Sequence, residues 1–485
     1  MTEEETPSSD VVRRDRFSGG PAREFLSSMD ADRRIFAADI AVDRAHVVML
    51  AEQDVIEDEV AGEILAALDE IEAAGHEALP EGEDVHAAIE TAVIERVGPE
   101  GGKMHTARSR NDEVATCIRY RLREDLLDAV AATVALREQL LSTASEHTRT
   151  VMPGYTHLQP AQPTTVAHWL CSYEQAIARD TERLLDAYER VNRSPLGAAA
   201  FAGTTFDIDR ERTAELLGFE GIVENSMDAS STRDFLLESV TALAAHATTL
   251  SGLAEDVIVF ANRGFVELSD EYASTSSIMP QKKNPDTLEL VRATAGEAAA
   301  GVNGLLTTLK GLPRAYNRDL QSATPYAWET VDAVLDATDV VGGAVATAEW
   351  PEEFLAEAAG EGFSTATGVA DLLAANGLPF RTAHEVVAVA SERGADRDAV
   401  DAAAREVLDS PLAEYVDPDA VEAALDPTES VASRDSVGGP APAAVEAYLG
   451  DAEDQLAAHQ VGLAGRRNAL ATAAELLEDE VSTYA

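Results

Sequence analysis

The chain has 485 residues, 45% of them hydrophobic, and its 88 acidic against 37 basic residues leave a formal net charge of −51. A balance this acidic excludes nucleic acid as a partner, since phosphate binding needs a basic stripe. No window of about 18 residues is apolar throughout, so no membrane span is expected either.

The chain opens on Met1-Thr-Glu-Glu-Glu-Thr, with neither a basic start nor an apolar stretch. No secretory leader is therefore expected, and a cytoplasmic location is. Residues 1–111 hold short helical patterns. From Asp112 onward, Ile118, Leu122, Leu126, Val130 and Val134 recur every four residues, the stripe of a long amphipathic helix. Runs of the same character cover 165–192, 232–262, 285–310 and 324–350. Helices approaching 30 residues would each be roughly 40 Å long, a length that belongs to a bundle or an oligomer core. No β alternation of comparable extent occurs, so the expected class is mainly α. Beyond about Glu361 come short helices punctuated by Gly and Pro. The chain thus reads as three segments: an N-terminal helical segment 1–111, a central long-helix bundle 112–358 and a small helical segment 359–485. Cys117 and Cys171 fall inside helical patterns and are expected as buried free thiols, not a disulfide framework.

The acids are spread along the whole chain, which describes an acidic surface and not a disordered tail. Such a surface repels itself, and salt shortens the reach of that repulsion from about 10 Å at 0.1 M to about 3 Å at 1 M. The melting temperature is expected to rise with KCl across that range; a protein most stable at low salt would contradict a salt-adapted surface.

Residues with chemistry to offer gather at the breaks between helices, where loops on a rigid scaffold display function. The stretch Ser276–Glu289 (SSIMPQKKNPDTLE) places hydroxyls, ammonium groups, an amide and a carboxylate in a loop running onto a helix. Unpaired N–H groups and the dipole make such a helix start hospitable to an anion. Only four lysines occur in the chain, and Lys282 and Lys283 sit side by side here, so a chance solvated basic loop is a poor explanation. Other polar breaks are His105–Asp112, Pro153–Pro163, Asn225–Asp234 and Gly311–Gln321. Scarce cations concentrate in them (Arg108, Arg110, Arg314, Arg318), and arginine recognises carboxylates bidentately. The inference is an anionic, polycarboxylate small-molecule substrate. His157, between Thr156 and Gln159 in a proline-bounded loop, is a candidate proton-transfer group. The remaining histidines show no ligand spacing on one helix face, Gly101-Gly102-Lys103 lacks the phosphate-loop spacing, and Ser276-Ser277 lacks a nucleophile elbow. No metal and no cofactor are expected.

The Ser276–Glu289 loop resembles the SSxMPxKxNxxxxE signature of the fumarase/aspartase lyase superfamily. Together with HTARSRND, PGYTHLQPAQP, NSMDASSTRDF and LSDEYASTSS it resembles the argininosuccinate lyase family in particular. The segments FSTATG from Phe363 and GLPFRTAHE from Gly377 resemble that family's C-terminal region, so the likeness runs from about residue 15 to the end. It implies a mainly α, three-domain lyase whose five long helices form a 20-helix core in a homotetramer, each active site drawing on three subunits. It implies Ser276 and His157 as the two proton-transfer groups, their base and acid roles left open, with Glu289 orienting the His157 imidazole. Lys282 and Asn284 would bind a succinyl carboxylate, and Asn111 and Thr156 would also touch substrate. Tyr316 and Gln321 match positions that bind the argininyl end, and Ser109, Arg110 and His86 lie in matching substrate segments. Three positions depart from the pattern. Asp39 is read as replacing a substrate-contacting serine near the N-terminus, Thr324 stands where lysine is usual, and Ala107 replaces glycine. Two rival readings are another fumarate-releasing lyase (adenylosuccinate lyase, aspartase) and an inactive crystallin-like structural homologue.

Overall fold

The computed structural model describes residues 21–484 apart from position 395. The opening hexapeptide, on which the leader expectation rests, and the start of the first segment lie outside the described residues.

The five long patterns are five helices: Arg110–Glu146, Val166–Val191, Asp234–Arg263, Asp286–Leu309 and Thr324–Ala346. The expected stripes face inward: Ile118, Leu122, Leu126, Val130 and Val134 are all buried, as are Leu236, Val240, Leu243, Leu250, Leu253 and Val257. Each such side chain contributes about 1.5–3 kcal/mol by leaving water. The first helix starts at Arg110 because Ser109 and Asp112 form a reciprocal capping box. The Ser109 hydroxyl accepts from the Asn111 N–H at 3.3 Å, and the Asp112 carboxylate accepts from the Ser109 N–H at 2.9 Å. The last helix stops four residues before the expected Trp350. There the chain turns extended and Glu349 exchanges backbone hydrogen bonds of 2.8 and 2.9 Å with Glu267. Gly301 lets two of these helices approach closely, since a Cβ there would collide with the Thr330 hydroxyl of the facing helix.

The helices run alternately up and down. Arg119, near the start of the first, donates to the carbonyls of Arg190 and Val191 at the end of the second (2.8 and 3.2 Å). Its guanidinium also lies 3.9 Å over the ring of Phe235, at the start of the third. The third ends at Arg263, which stacks 4.7 Å over Tyr155, a residue lying beyond the far end of the first. The bundle therefore has two ends, separated by the 37 residues of Arg110–Glu146, roughly 55 Å at 1.5 Å per residue.

Two short antiparallel hairpins occur at the far end. One, Val151–Thr156 with Gln159–Thr165, was expected as a loop. Pro153, Pro160 and Pro163 are tolerated because a two-stranded ribbon is all edge and few of its N–H groups need partners. The other pairs Ser274–Thr275 with Lys283–Asn284.

Residues 359–485 contribute mainly to two cores. Val369, Leu373, Val386, Val400 and Val421 form a separate small core. The expectation of short helices here fails for Pro442–Ser482, which spans 41 residues and lends Val445, Leu449, Leu456, Leu463 and Leu477 to the main one. Arg137 ties it to the bundle through Glu174 (2.7 Å), His459 Nδ1 (2.7 Å) and Gln455 (3.2 Å). Both cysteines are free and buried, as expected. Among the described residues no helix is long and apolar enough to cross a membrane.

Candidate active site

At the end where Arg110–Glu146 begins, a cavity of about 220 Å³ brings together five of the expected residues: His86, Arg110, Asn111, Tyr316 and Gln321. Arg110 ion-pairs with Asp84 at 3.2 Å, and Asp84 caps the Val85–Val97 helix by accepting from the Ala87 N–H at 2.8 Å. The Asn111 amide donates to the Ala200 carbonyl at 3.2 Å. Gln321 donates at 3.3 Å to the carbonyls of Leu26 and Ser27, which pins residues 26–28 against the cavity. Burial raises the Tyr316 hydroxyl above its ordinary range, so it is a neutral donor at physiological pH. Ser109 is not a lining residue, because its hydroxyl is engaged in the cap.

The cavity also holds residues that sequence reasoning did not assign to the site: Ser28, Asp32, Arg233 and Thr324 among them. Ser28 donates to Asp32 at 2.7 Å. This corrects the reading of Asp39: the serine at the cavity is Ser28, whereas Asp39 is fully buried behind it, 2.8 Å from His86 Nδ1 and 3.3 Å from the Cys117 thiol. The signal that was available is the Ser-Ser-Met-Asp run at 27–30, eleven residues ahead of Asp39. Arg318, noted as a clustered cation, lines the cavity and pairs with Glu83.

Thr156, His157, Ser276, Lys282 and Asn284 lie at the other end. His157 and Leu158 form the tip of the first hairpin with φ of 56° and 57°, the left-handed pair of a type I′ turn. Both Thr156 and His157 are exposed. Ser276 lies in the flap joining the strands of the second hairpin. Its N–H donates to the Lys282 carbonyl at 3.1 Å, closing the flap, and its hydroxyl accepts from the Met279 N–H at 3.1 Å. The Lys282 ammonium donates to the Asn284 side-chain oxygen. Lys283 points elsewhere, to Asp270 at 2.8 Å, and so anchors the flap base. Tyr155 of the first hairpin faces Phe265, just beyond the end of the Asp234–Arg263 helix, with ring centroids 6.2 Å apart. Glu289 is exposed on the first turn of the following helix and makes no hydrogen bond or ion pair with His157 within the chain. The expected orienting contact is therefore absent from a single copy.

Strain marks these segments. Ala107, Ala199 and Ala315, next to or near Ser109, Asn111's partner Ala200 and Tyr316, have φ of 65°, 52° and 69°. An L-residue in that region costs about 1–2 kcal/mol, and such strain collects where loops are held for function. The Ala107 departure from glycine thus falls at a position where glycine would be unstrained.

Beneath the cavity floor His86, Asp39, Glu113 and Arg108 form a buried charged cluster. Burial alone would lower the His86 pKa, but the Asp39 carboxylate, and then Glu113 at 3.8 Å, more than reverse this and push it up to about 10. His86 therefore offers the cavity a fixed positive charge at neutral pH. Because its folded pKa lies above the ordinary 6.5, this contribution to stability is complete below pH 6.5 and is lost as pH rises through about 10. The stability gap between the native chain and His86→Gln is expected to narrow over that window in urea titrations; a gap independent of pH would show His86 to be neutral.

Residues 22–299 match a family model described as "Lyase", and residues 363–432 match one described as "Argininosuccinate lyase C-terminal". The chain is 71% identical over 484 residues to an argininosuccinate lyase of Natronomonas pharaonis, covering 100% of this chain and 99% of that one. It is 67% identical over 480 residues to one of Haloarcula marismortui, covering 98% and 96%. Among solved structures it is similar to an EDDS lyase in complex with formate, with a TM-score of 0.85 and 33% identity over 99% of this chain and 98% of that one.

Proposed function

The chain belongs to the argininosuccinate lyase family, and on that premise we propose that it splits argininosuccinate into L-arginine and fumarate by β-elimination, in the cytoplasm, as a step of arginine biosynthesis. The observation that carries the reading is the flap: one short loop in a lysine-poor chain holds the Ser276 hydroxyl, the Lys282 ammonium and the Asn284 amide together.

The reaction must remove a weakly acidic C–H proton beside a carboxylate, which drives negative charge onto that carboxylate. Donors already aimed at it, Lys282 and Asn284, lower the barrier by about 3 kcal/mol each. Ser276, ionised to its alkoxide in the positive field of the closed flap, takes the proton and becomes a neutral hydroxyl, and the double bond of fumarate forms as the C–N bond breaks toward the guanidinium nitrogen. His157 protonates that nitrogen, directly or through a water, a contribution of about 10²–10⁴-fold. A serine hydroxyl is a weak base in water, so the flap must close and exclude it. The flap tip is apolar, with Ile278 83% exposed, a surface that closure over a ligand would cover.

The amino-acid end of the substrate belongs in the 220 Å³ cavity, where Asn111, Arg110, Tyr316 and Gln321 stand. Cavity and flap lie at opposite ends of a helix roughly 55 Å long, so one small molecule cannot touch both in a single copy. The site is therefore composite: the 112–358 bundle assembles in a homotetramer, and two neighbouring copies bring His157 and Ser276 respectively to each cavity, so that three subunits share it. Glu289 meets His157 in the same way, across an interface.

Fumarate absorbance after adding argininosuccinate to the full chain in high KCl tests this directly. Release from argininosuccinate, and not from adenylosuccinate or aspartate, is expected. Silence with argininosuccinate, or faster release from a rival, would overturn the reading.

A further inference from the structure

Among the described residues lining the cavity, each cation but one has an acidic partner. Arg110 pairs with Asp84, Arg318 with Glu83 and His86 with Asp39. Arg233 has none. It is 2% exposed, its Nη1 donates only to the neighbouring Thr232 carbonyl at 2.8 Å, and its Nε and Nη2 have no hydrogen-bond partner. The next guanidinium, Arg119, adds repulsion instead of relief and is itself used up on the Arg190 and Val191 carbonyls. Burial pulls the Arg233 pKa down to about 10, which still leaves it cationic at neutral pH.

A desolvated, uncompensated charge is among the costliest features a fold can retain. In a chain of net charge −51 a carboxylate partner would have been easy to supply. Thr324 lines the same cavity and is uncharged, at the position where the family resemblance leads one to expect a lysine. The cavity's acidic side chains, Asp32, Glu83 and Asp84, suit an α-ammonium group, and a cation is needed beside them for the carboxylate on the same carbon.

We propose that Arg233 binds the α-carboxylate of the amino-acid end of the substrate through its unfilled Nε and Nη2, supplying from the start of the Asp234–Arg263 helix the charge that position 324 lacks. The proposal rests on the cavity holding the argininyl end of argininosuccinate. The succinyl carboxylates, held by the flap donors, are not its ligands. Arginine's planar fork fits a carboxylate with two parallel bonds, which fixes the orientation of that end of the substrate.

The test uses the full chain in high KCl with two probes, L-arginine and L-argininamide, the latter lacking the carboxylate. The native chain should bind arginine about 10- to 100-fold more tightly than argininamide, the range for a hydrogen-bonded charged group. Arg233→Met should erase that preference by weakening arginine alone. It should also raise KM for argininosuccinate by a similar factor, with a smaller change in kcat and an unaltered inhibition constant for fumarate. Arg233→Lys should restore part of the preference. Equal weakening of both probes, or of neither, overturns the assignment. Should Arg233→Met fail to fold, a native chain that binds the two probes equally overturns it without any variant. Fumarate release by the native chain is measured in parallel, so failure of the lyase reading is seen separately from failure of the Arg233 assignment.

Discussion

Alanine at Ser276 is expected to lower kcat for argininosuccinate by about 10²–10⁴-fold while leaving ligand affinity within a few-fold. On the proposed mechanism the Ser276 oxygen takes the substrate proton, whereas the succinyl carboxylate is held by the Lys282 ammonium and the Asn284 amide, which lie together in the flap. Its oxygen accepts from the Met279 and Ile278 N–H groups at 3.1 and 3.4 Å, which aims it and, in the ionised form, leaves one lone pair for the substrate proton. Ser277, next to it and exposed, supplies the control: Ser277→Ala should retain most of the rate. Stopped-flow fumarate absorbance and calorimetric binding separate the two effects. A near-native kcat would remove Ser276 from the chemistry. The proposed composite site adds a second readout. Mixed tetramers of two inactive chains, Asn111→Ala and Ser276→Ala, should recover measurable turnover, because some cavities then meet an intact flap from another copy. No recovery after verified mixing would place both residues in one copy's site, against the roughly 55 Å that separates the two bundle ends.

Replacing Arg108 by methionine is expected to destabilise the fold by about 3–5 kcal/mol, a larger effect than any surface ion pair provides. Its guanidinium lies 2.5 Å from Asp43 and 3.1 Å from Glu113, with all three side chains nearly inaccessible. Without it those carboxylates, together with Asp39, are left buried and facing one another. Burial would raise the Glu113 pKa, but Arg108, and then His86, hold it down to about 2. In the native chain this contribution is therefore present above pH 4.5 and lost as pH falls through about 2. Arg467→Met, which breaks the exposed pair with Asp128 at 2.8 Å, should cost no more than about 1 kcal/mol. Urea midpoints at fixed KCl compare the two. A similar small loss for both would mean that the Arg108 cluster is solvated.

The amino-acid sequence by itself determined the five long helices, because a four-residue apolar recurrence such as Ile118 to Val134 is a local property that packing has no reason to override. It also determined the flap's donor set, since those residues are contiguous, and the family, since its motifs are linear. Proline spacing around His157 suggested a loop; strand pairing across the tip is a hydrogen-bonding choice that a two-stranded ribbon permits and proline content does not forbid. Tertiary structure alone decided which residues share the cavity. Ser28, His86, Asn111, Arg233 and Tyr316 come from segments far apart in the chain. It alone made Asp39 a buried partner of His86 and not a substrate contact, and left Arg233 enclosed with no acid beside it. Periodicity and composition are read along the chain, but the dielectric and the partner of a charge depend on what the fold brings next to it in space.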